Sequence, residues 1–195
     1  MAIGILAIQG SVIEHKRALE KLGVKVAEIR LPEELKGIDG IILPGGESTT
    51  ISKLMKRFGI FHELKKRITD DMPVWGTCAG AILLAKKITG KNPPQTFGVM
   101  DIEVNRNAYG RQLESFTHKL KIKNYELRIN NFNGIFIRAP RIRPLAGSDV
   151  EVLAECDGNP VMLKQRNMLA TSFHPELTDD LTIHRYFMEM CEKIS

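Results

Sequence analysis

The sequence predicts an α/β protein built on a mostly parallel central sheet, with an antiparallel extension. Three features carry that expectation. Apolar runs of strand length end in glycine-containing turns, amphipathic stretches of helical length follow those turns, and the two alternate along the first half of the chain. In open sheets of this kind ligands bind beyond the carboxyl ends of the strands, so the turns there are the first places to look for chemistry.

Ile3-Gly4-Ile5-Leu6-Ala7-Ile8 is continuously apolar, as a strand buried on both faces requires, and it ends in Gln9-Gly10. Ser11 is placed to cap a helix whose apolar stripe is Val12, Ala18, Leu19 and Leu22, with Gly23 closing it. Residues 24–29 alternate and read as a second strand. Residues 38–43 read as a third, closed by Pro44-Gly45-Gly46. A long helix is expected from about Ser48 towards Thr69, with a break near Gly59. Pro73-Val74-Trp75 is a short fourth strand, and Ala81-Ile82-Leu83-Leu84-Ala85 continues as helix. The second half changes character. Short strand candidates at 99–104, 119–123, 134–138, 150–155, 161–164 and 168–172 include neighbours joined by tight turns such as Asp157-Gly158-Asn159-Pro160. They read as a mixed or antiparallel extension of the same sheet, and residues 179–194 finish as an amphipathic helix. With no linker, repeat or low-complexity segment, residues 1–195 are expected to form one domain.

Composition narrows the function classes. A chain of 195 residues buries one substantial core and is short for two; 43% hydrophobic and 26% charged residues are ordinary for a soluble globular protein. No apolar run nears the ~20 residues that span a bilayer, and the first residues read directly as a strand without a basic leader. Neither a membrane role nor a signal peptide is expected. Cys78, Cys156 and Cys191 are widely spaced and odd in number, so they form neither a disulfide framework nor a CxxC metal site, and they suit a reducing cytoplasm. The net charge of +5 arises from basic residues scattered over helix faces, as in Lys53-Leu54-Met55-Lys56-Arg57. With 6% aromatic residues and no recognition motif, no nucleic-acid partner is expected.

Gly76-Thr77-Cys78-Ala79-Gly80 joins the fourth strand to the helix after it. Glycines flanking a central residue permit a sharp turn that lifts it clear of the backbone at a helix start, where free N–H groups favour a thiolate. The alternative is a buried structural cysteine beside two packing glycines. A nucleophilic thiol needs a base, and the base an orienting acceptor. His15, His62 and His184 lie in predicted helices and His118 in a polar strand; all four read as packing or surface residues. His174 opens His174-Pro175-Glu176 after an apolar stretch. Pro175 biases it towards extended backbone, where residues two apart share a side, so that Glu176 holds one ring nitrogen while the other faces Cys78. The alternative is a turn leading to a helix, with a capping acid. No two histidines stand at metal-ligand spacing and no phosphate loop occurs, so no metal or cofactor is expected. Pro44-Gly45-Gly46-Glu47-Ser48-Thr49-Thr50 offers free N–H groups for a carboxylate or an oxyanion; its plainer reading is a strand-to-helix turn with a Ser/Thr cap.

Gly76-Thr77-Cys78-Ala79-Gly80, Pro44-Gly45-Gly46-Glu47-Ser48 and Ser172-Phe173-His174-Pro175-Glu176 together resemble the class I (triad) glutamine amidotransferases. More narrowly, the chain is similar to the glutaminase subunits of pyridoxal 5′-phosphate synthase. That narrowing rests on Gly4-Ile5-Leu6-Ala7-Ile8-Gln9-Gly10 with Glu14-His15, the full Gly45-Gly46-Glu47-Ser48-Thr49-Thr50, Arg106-Asn107-Ala108-Tyr109-Gly110-Arg111-Gln112, Phe136-Ile137-Arg138-Ala139-Pro140 and His174-Pro175-Glu176-Leu177-Thr178. The similarity spans nearly the whole chain, although residues 123–133 and 141–148 map onto nothing in the pattern.

The resemblance implies a three-layer flavodoxin-like fold and hydrolysis of L-glutamine to glutamate and ammonia. The ammonia passes to a separate synthase subunit within a large heteromeric complex. It implies Cys78 as nucleophile, His174 as acid/base and Glu176 as its orienter. Gly46, Glu47, Ser48, Arg106, Ile137 and Arg138 line the glutamine site, with arginine suited to the α-carboxylate. The oxyanion is expected at the backbone N–H groups of Ala79 and Gly46. A mobile Gly45-Gly46 peptide, its orientation set by the partner and steadied by Gln9, is a further expectation. Rival readings are a glutaminase of the histidine, anthranilate or purine pathways, a cysteine peptidase or chaperone-like hydrolase, and an inactive glutaminase-like assembly module.

Overall fold

Continuous apolar character produces the buried strands. In the computed structural model, which describes residues 1–106, 115–122 and 131–194, Ala2–Leu6 forms β1 and Gly40–Leu43 forms β3, the latter buried at all four positions. Between them lie α1 (Val12–Lys21) and β2 (Lys25–Ile29). The predicted long helix is two, α2 (Ser48–Arg57) and α3 (Ile60–Thr69), divided at Gly59, whose φ of 73° is open to a residue without a side chain. β4 (Val74–Thr77) and the short α4 (Ala79–Leu84) follow.

The second half supplies β5 (Ala85–Thr89), β6 (Met100–Asn105), β7 (Ser115–Ile122), β8 (Phe132–Ile137), β9 (Arg141–Pro144), β10 (Glu151–Cys156), β11 (Asn159–Gln165), β12 (Met168–Thr171) and α5 (Thr182–Glu192). Among the described residues, the main sheet has nine strands in the order β2-β1-β3-β4-β12-β11-β10-β7-β8. Its first five are mutually parallel; from β11 onward neighbours are antiparallel. The antiparallel extension is therefore present, with one correction. The strand expected at 99–104 is β6, which leaves the main sheet and joins β5 and β9 in a second, three-stranded sheet.

Alternation along the strands sends side chains to two cores. Ile41 and Leu43 pack with Ile51, Met55, Phe61 and Leu64 of α2 and α3. Ile3, Ile5, Ile42 and Trp75 pack on the opposite face with Leu19 of α1 and Ile183 and Phe187 of α5. Helices thus cover both faces of the parallel region, giving three layers. Among the described residues, no helix is long and apolar enough to cross a membrane.

Three local expectations are corrected. Ser11 precedes α1 but makes no side-chain cap bond. The last helix starts at Thr182, not Asp179, because the Asp180 carboxylate accepts from Thr182 N and Oγ1 at 3.0 and 2.7 Å and stops the turn there. β5 and β9 were not anticipated: Ala85-Lys86-Lys87-Ile88-Thr89 and Arg141-Ile142-Arg143-Pro144 are too polar and short to show a strand pattern.

Candidate active site

Cys78 is the first residue beyond β4, and its N–H donates to Thr171 O of β12 at 2.8 Å. Its backbone sits at φ 47° and ψ −98°, a region that residues with side chains enter at a cost of about 1–3 kcal/mol. The flanking glycines make this possible. A Cβ on Gly76 would lie 2.5 Å from the Gly80 carbonyl carbon, and one on Gly80 would collide with the Leu43 carbonyl of β3. Strand and helix approach so closely that neither position has room for a side chain. The expected elbow is thus formed.

Parallel pairing brings the second group to the same end. β12 runs beside β4 with Thr171 opposite Thr77, so the chain leaving β12 emerges next to Cys78. His174 is fixed there by its N–H, which donates to Ile135 O of β8 at 2.8 Å. Its Nδ1–H donates to Glu176 Oε1 at 2.7 Å, leaving Nε2 for Cys78. The backbone route differs from the extended one expected, because Pro175–Leu177 is a 3-10 turn that curls Glu176 back under the imidazole. His174 and Glu176 are each only 6% exposed, and this decides their electrostatics. Burial alone would lower the His174 pKa, but hydrogen bonds to Cys78 and Glu176 outweigh it and raise it well above the ordinary value. Burial would raise the Glu176 carboxyl; the adjacent His15 and His174 outweigh it and hold it low.

A cavity of about 450 Å³ opens above these groups. Cys78 and His174 share its wall with Gly46, Glu47, Ser48, Arg106, Ile137 and Arg138, so those expected site residues converge. Two do not face it. Glu176 lies behind His174, and Ala79 is buried as the first residue of α4, where its N–H has no intrahelical partner. Gln9, Gly10, Ser11, Ile82 and Leu177 also line the cavity and were not assigned to it beforehand, apart from the steadying role expected of Gln9.

The glycine turn is held at two points, one of them Gln9. Gly45 O accepts from Ser11 N at 3.1 Å and Glu47 N donates to Gln9 Oε1 at 2.8 Å. Gly45 is glycine because a Cβ would stand 2.5 Å from His174 Cε1. The cap of α2 is Glu47, not a serine or threonine: its carboxylate accepts from Thr49 N at 3.0 Å and from Thr50 N and Oγ1 at 2.6 Å. Although partial burial opposes it, those bonds hold the Glu47 pKa down at about 2. Arg106 donates to Thr49 Oγ1 and Asn92 O, each at 3.1 Å, and lies 3.6 Å from Glu47. Arg138, at φ 43°, stands exposed at the mouth. Residues 107–112 of the quoted arginine motif, and 123–130 of the unmapped stretch, lie outside the described residues.

Two histidines read as surface or partly buried packing residues are wholly buried, directly behind the site. His15 Nε2 lies 3.6 Å from Glu176 Oε2, and His15 Nδ1 lies 3.0 Å from His184 Nε2. The signal was present in α1, where His15 shares the inward stripe with Ala18 and Leu19 at i+3 and i+4. Elsewhere, His118, Cys156 and Asp157 bring ligand-type atoms within 4.8 Å of one another, but burial raises the Cys156 thiol pKa and disfavours the thiolate a metal would need.

Strands in the order 2-1-3-4, a fifth parallel neighbour and an elbow cysteine after the fourth make up the architecture of a class I glutamine amidotransferase. A solved glutamine amidotransferase superposes with a TM-score of 0.90 at 48% identity, covering 97% of this chain and 98% of that one. A putative GMP synthase component from Thermoplasma acidophilum shares the fold at a TM-score of 0.70 and 22% identity, covering 100% of this chain and 95% of that one. The chain belongs to the SNO glutamine amidotransferase family, which it matches over residues 5–193. It is similar to the pyridoxal 5′-phosphate synthase subunit PdxT of Fervidobacterium nodosum, at 51% identity over 99% of this chain and 98% of that protein. The PdxT of Carboxydothermus hydrogenoformans is 53% identical over 97% of each.

Proposed function

We propose that Cys78, His174 and Glu176 hydrolyse L-glutamine, and that the ammonia feeds a synthase subunit making pyridoxal 5′-phosphate. The observation that carries this is the meeting of Cys78 and His174 in one cavity, with Glu176 locked to the far ring nitrogen. Identity near 50% to PdxT subunits, against 16% to a PurLQS structure, favours the pyridoxal phosphate pathway over the purine one.

His174 Nε2 takes the thiol proton and Cys78 Sγ attacks the side-chain amide carbonyl. The N–H groups of Ala79 and Gly46 hold the oxyanion; losing one such donor typically costs about 10²–10³ in kcat. His174 then protonates the departing nitrogen, ammonia leaves, and a water deprotonated by His174 hydrolyses the γ-glutamyl thioester to glutamate. Arg106 and Arg138 offer guanidinium groups to the α-carboxylate, while Glu47, Ser48 and Ile137 bound the rest of the substrate. No step calls on a cofactor. Residues 1–195 act as one glutaminase domain, in the cytoplasm, within a large heteromeric complex, engaging neither nucleic acid nor membrane.

Cys78→Ala tests the assignment: ammonia release from glutamine is lost while folding and capture of the synthase subunit persist. Continued hydrolysis by the folded variant overturns the role of Cys78. A glutamine-dependent pyridoxal phosphate assay with the synthase subunit, set against other amidotransferase partners, tests the pathway. Turnover with and without that subunit tests whether it sets the Gly45-Gly46 peptide, and equal rates would dismiss that idea.

A further inference from the structure

The carboxylate behind His174 has a second oxygen with a surrounding of its own. Oε1 of Glu176 accepts from His174, whereas Oε2 is buried and has no hydrogen-bond partner among the described residues. The polar groups beyond it are His15 Nε2, 3.6 Å from Oε2, and Thr77 Oγ1, 3.3 Å from the same ring nitrogen. His15 in turn meets His184 at 3.0 Å, and His184 Nδ1 is buried without a partner. Trp75 packs edge-on against both rings, with centroids 5.3 and 4.9 Å away.

Two proton arrangements satisfy the contact between the histidines. If His15 Nδ1 donates to His184, His15 Nε2 can accept from the Thr77 hydroxyl but still turns a lone pair towards the Glu176 carboxylate, and His184 Nδ1–H is left as a buried orphan donor. Both are costly in a dry interior. If His184 Nε2–H donates to His15 Nδ1, then His15 Nε2–H lies between Thr77 Oγ1 at 3.3 Å and Glu176 Oε2 at 3.6 Å, and only a lone pair of His184 goes unmatched. Burial lowers the pKa of both rings, which keeps them neutral and leaves one proton in their shared bond.

We infer that His15 is a positioning residue for the glutaminase, its Nε2–H steadying the outer oxygen of Glu176 and its tautomer set by His184. This rests on the proposed triad. It extends the chain to His184→His15→Glu176←His174, with the 3.6 Å gap shortening when substrate organises the site.

The first test needs no turnover. ¹⁵N spectra of the full-length wild-type protein at neutral pH should show His15 protonated on Nε2 and bare on Nδ1; the reverse tautomer overturns the inference, whatever Cys78→Ala shows. The second compares His15→Met, which removes the donor, with His15→Gln, whose amide replaces an Nε2–H, in the presence of the synthase subunit. Loss of a bond to a charged group predicts a kcat about tenfold or more lower for His15→Met at unchanged KM, largely restored in His15→Gln. Equal activity of folded His15→Met and wild type overturns it, as does equal loss in both variants tracking their stability.

Discussion

Replacing Glu176 by Gln isolates the carboxylate with almost no change of shape. The side chain is fully buried, so water cannot take over its bond to His174. Two magnitudes bracket the outcome. If only the charge-assisted character of the 2.7 Å bond is lost, about 1.5–3 kcal/mol disappears, or about 10–160-fold in kcat. If the amide turns its NH₂ towards Nδ1, that nitrogen must accept. The ring proton then moves to Nε2, where the base is needed, and an inverted tautomer of this kind costs about 10⁴ in a serine triad. The surroundings select the second case. A His15 Nε2–H facing the outer oxygen draws the amide carbonyl to its own side and leaves the NH₂ facing His174. The expectation is therefore a kcat about 10⁴ lower with KM nearly unchanged, read by coupled glutamate detection with the synthase subunit present. A kcat within about threefold of wild type, less than any charged hydrogen bond supplies, refutes the reasoning.

Other outcomes follow from the same geometry. Gly80→Ala drives a methyl into the Leu43 carbonyl and is expected to cost at least about 1–3 kcal/mol in urea unfolding. Gly45→Ala forces His174 aside and is expected to abolish turnover with little loss of stability, checked by kcat and thermal melting. Gln165 holds the two sheets together through Asp101 N at 2.8 Å, Asp101 Oδ2 at 2.7 Å and Asp149 Oδ1; Gln165→Met should lower stability by about 1–3 kcal/mol while the folded fraction keeps its kcat. Because the Glu176 carboxyl is held low, its stabilisation is full above the ordinary value of 4.5 and is lost as pH falls towards about 2. The urea-midpoint gap between wild type and Glu176→Gln should accordingly narrow between about pH 5 and pH 3; a constant gap contradicts the shift.

The parallel half of the fold was legible because burial on both faces leaves a continuous apolar record, as in Ile3-Gly4-Ile5-Leu6 and Gly40-Ile41-Ile42-Leu43. The elbow was legible for a steric reason, since Gly76 and Gly80 stand where backbone meets backbone. What escaped depends on partners distant in sequence. β5 and β9 hold their places by pairing with β6 rather than by their own pattern. Glu47 displaced the neighbouring hydroxyls as helix cap because its longer side chain reaches Thr49 and Thr50 N–H while lying beside Arg106. His15 belonged to an apolar stripe that was read without it, because a polar residue there makes sense only once Glu176, far along the chain, is packed against it.

The backbone anchors of the two reacting groups differ in how readily they open. Cys78 is bonded to Thr171 between β4 and β12, in the middle of the nine strands, whereas His174 is bonded to Ile135 of β8, the strand at the sheet's end. End strands fray at a small fraction of the free energy needed to part central ones. Amide exchange at His174 should consequently outpace that at Cys78. On gentle heating the enzyme should fall silent first through a wandering base, while its thiol still sits in an intact sheet and the loss is reversed on cooling.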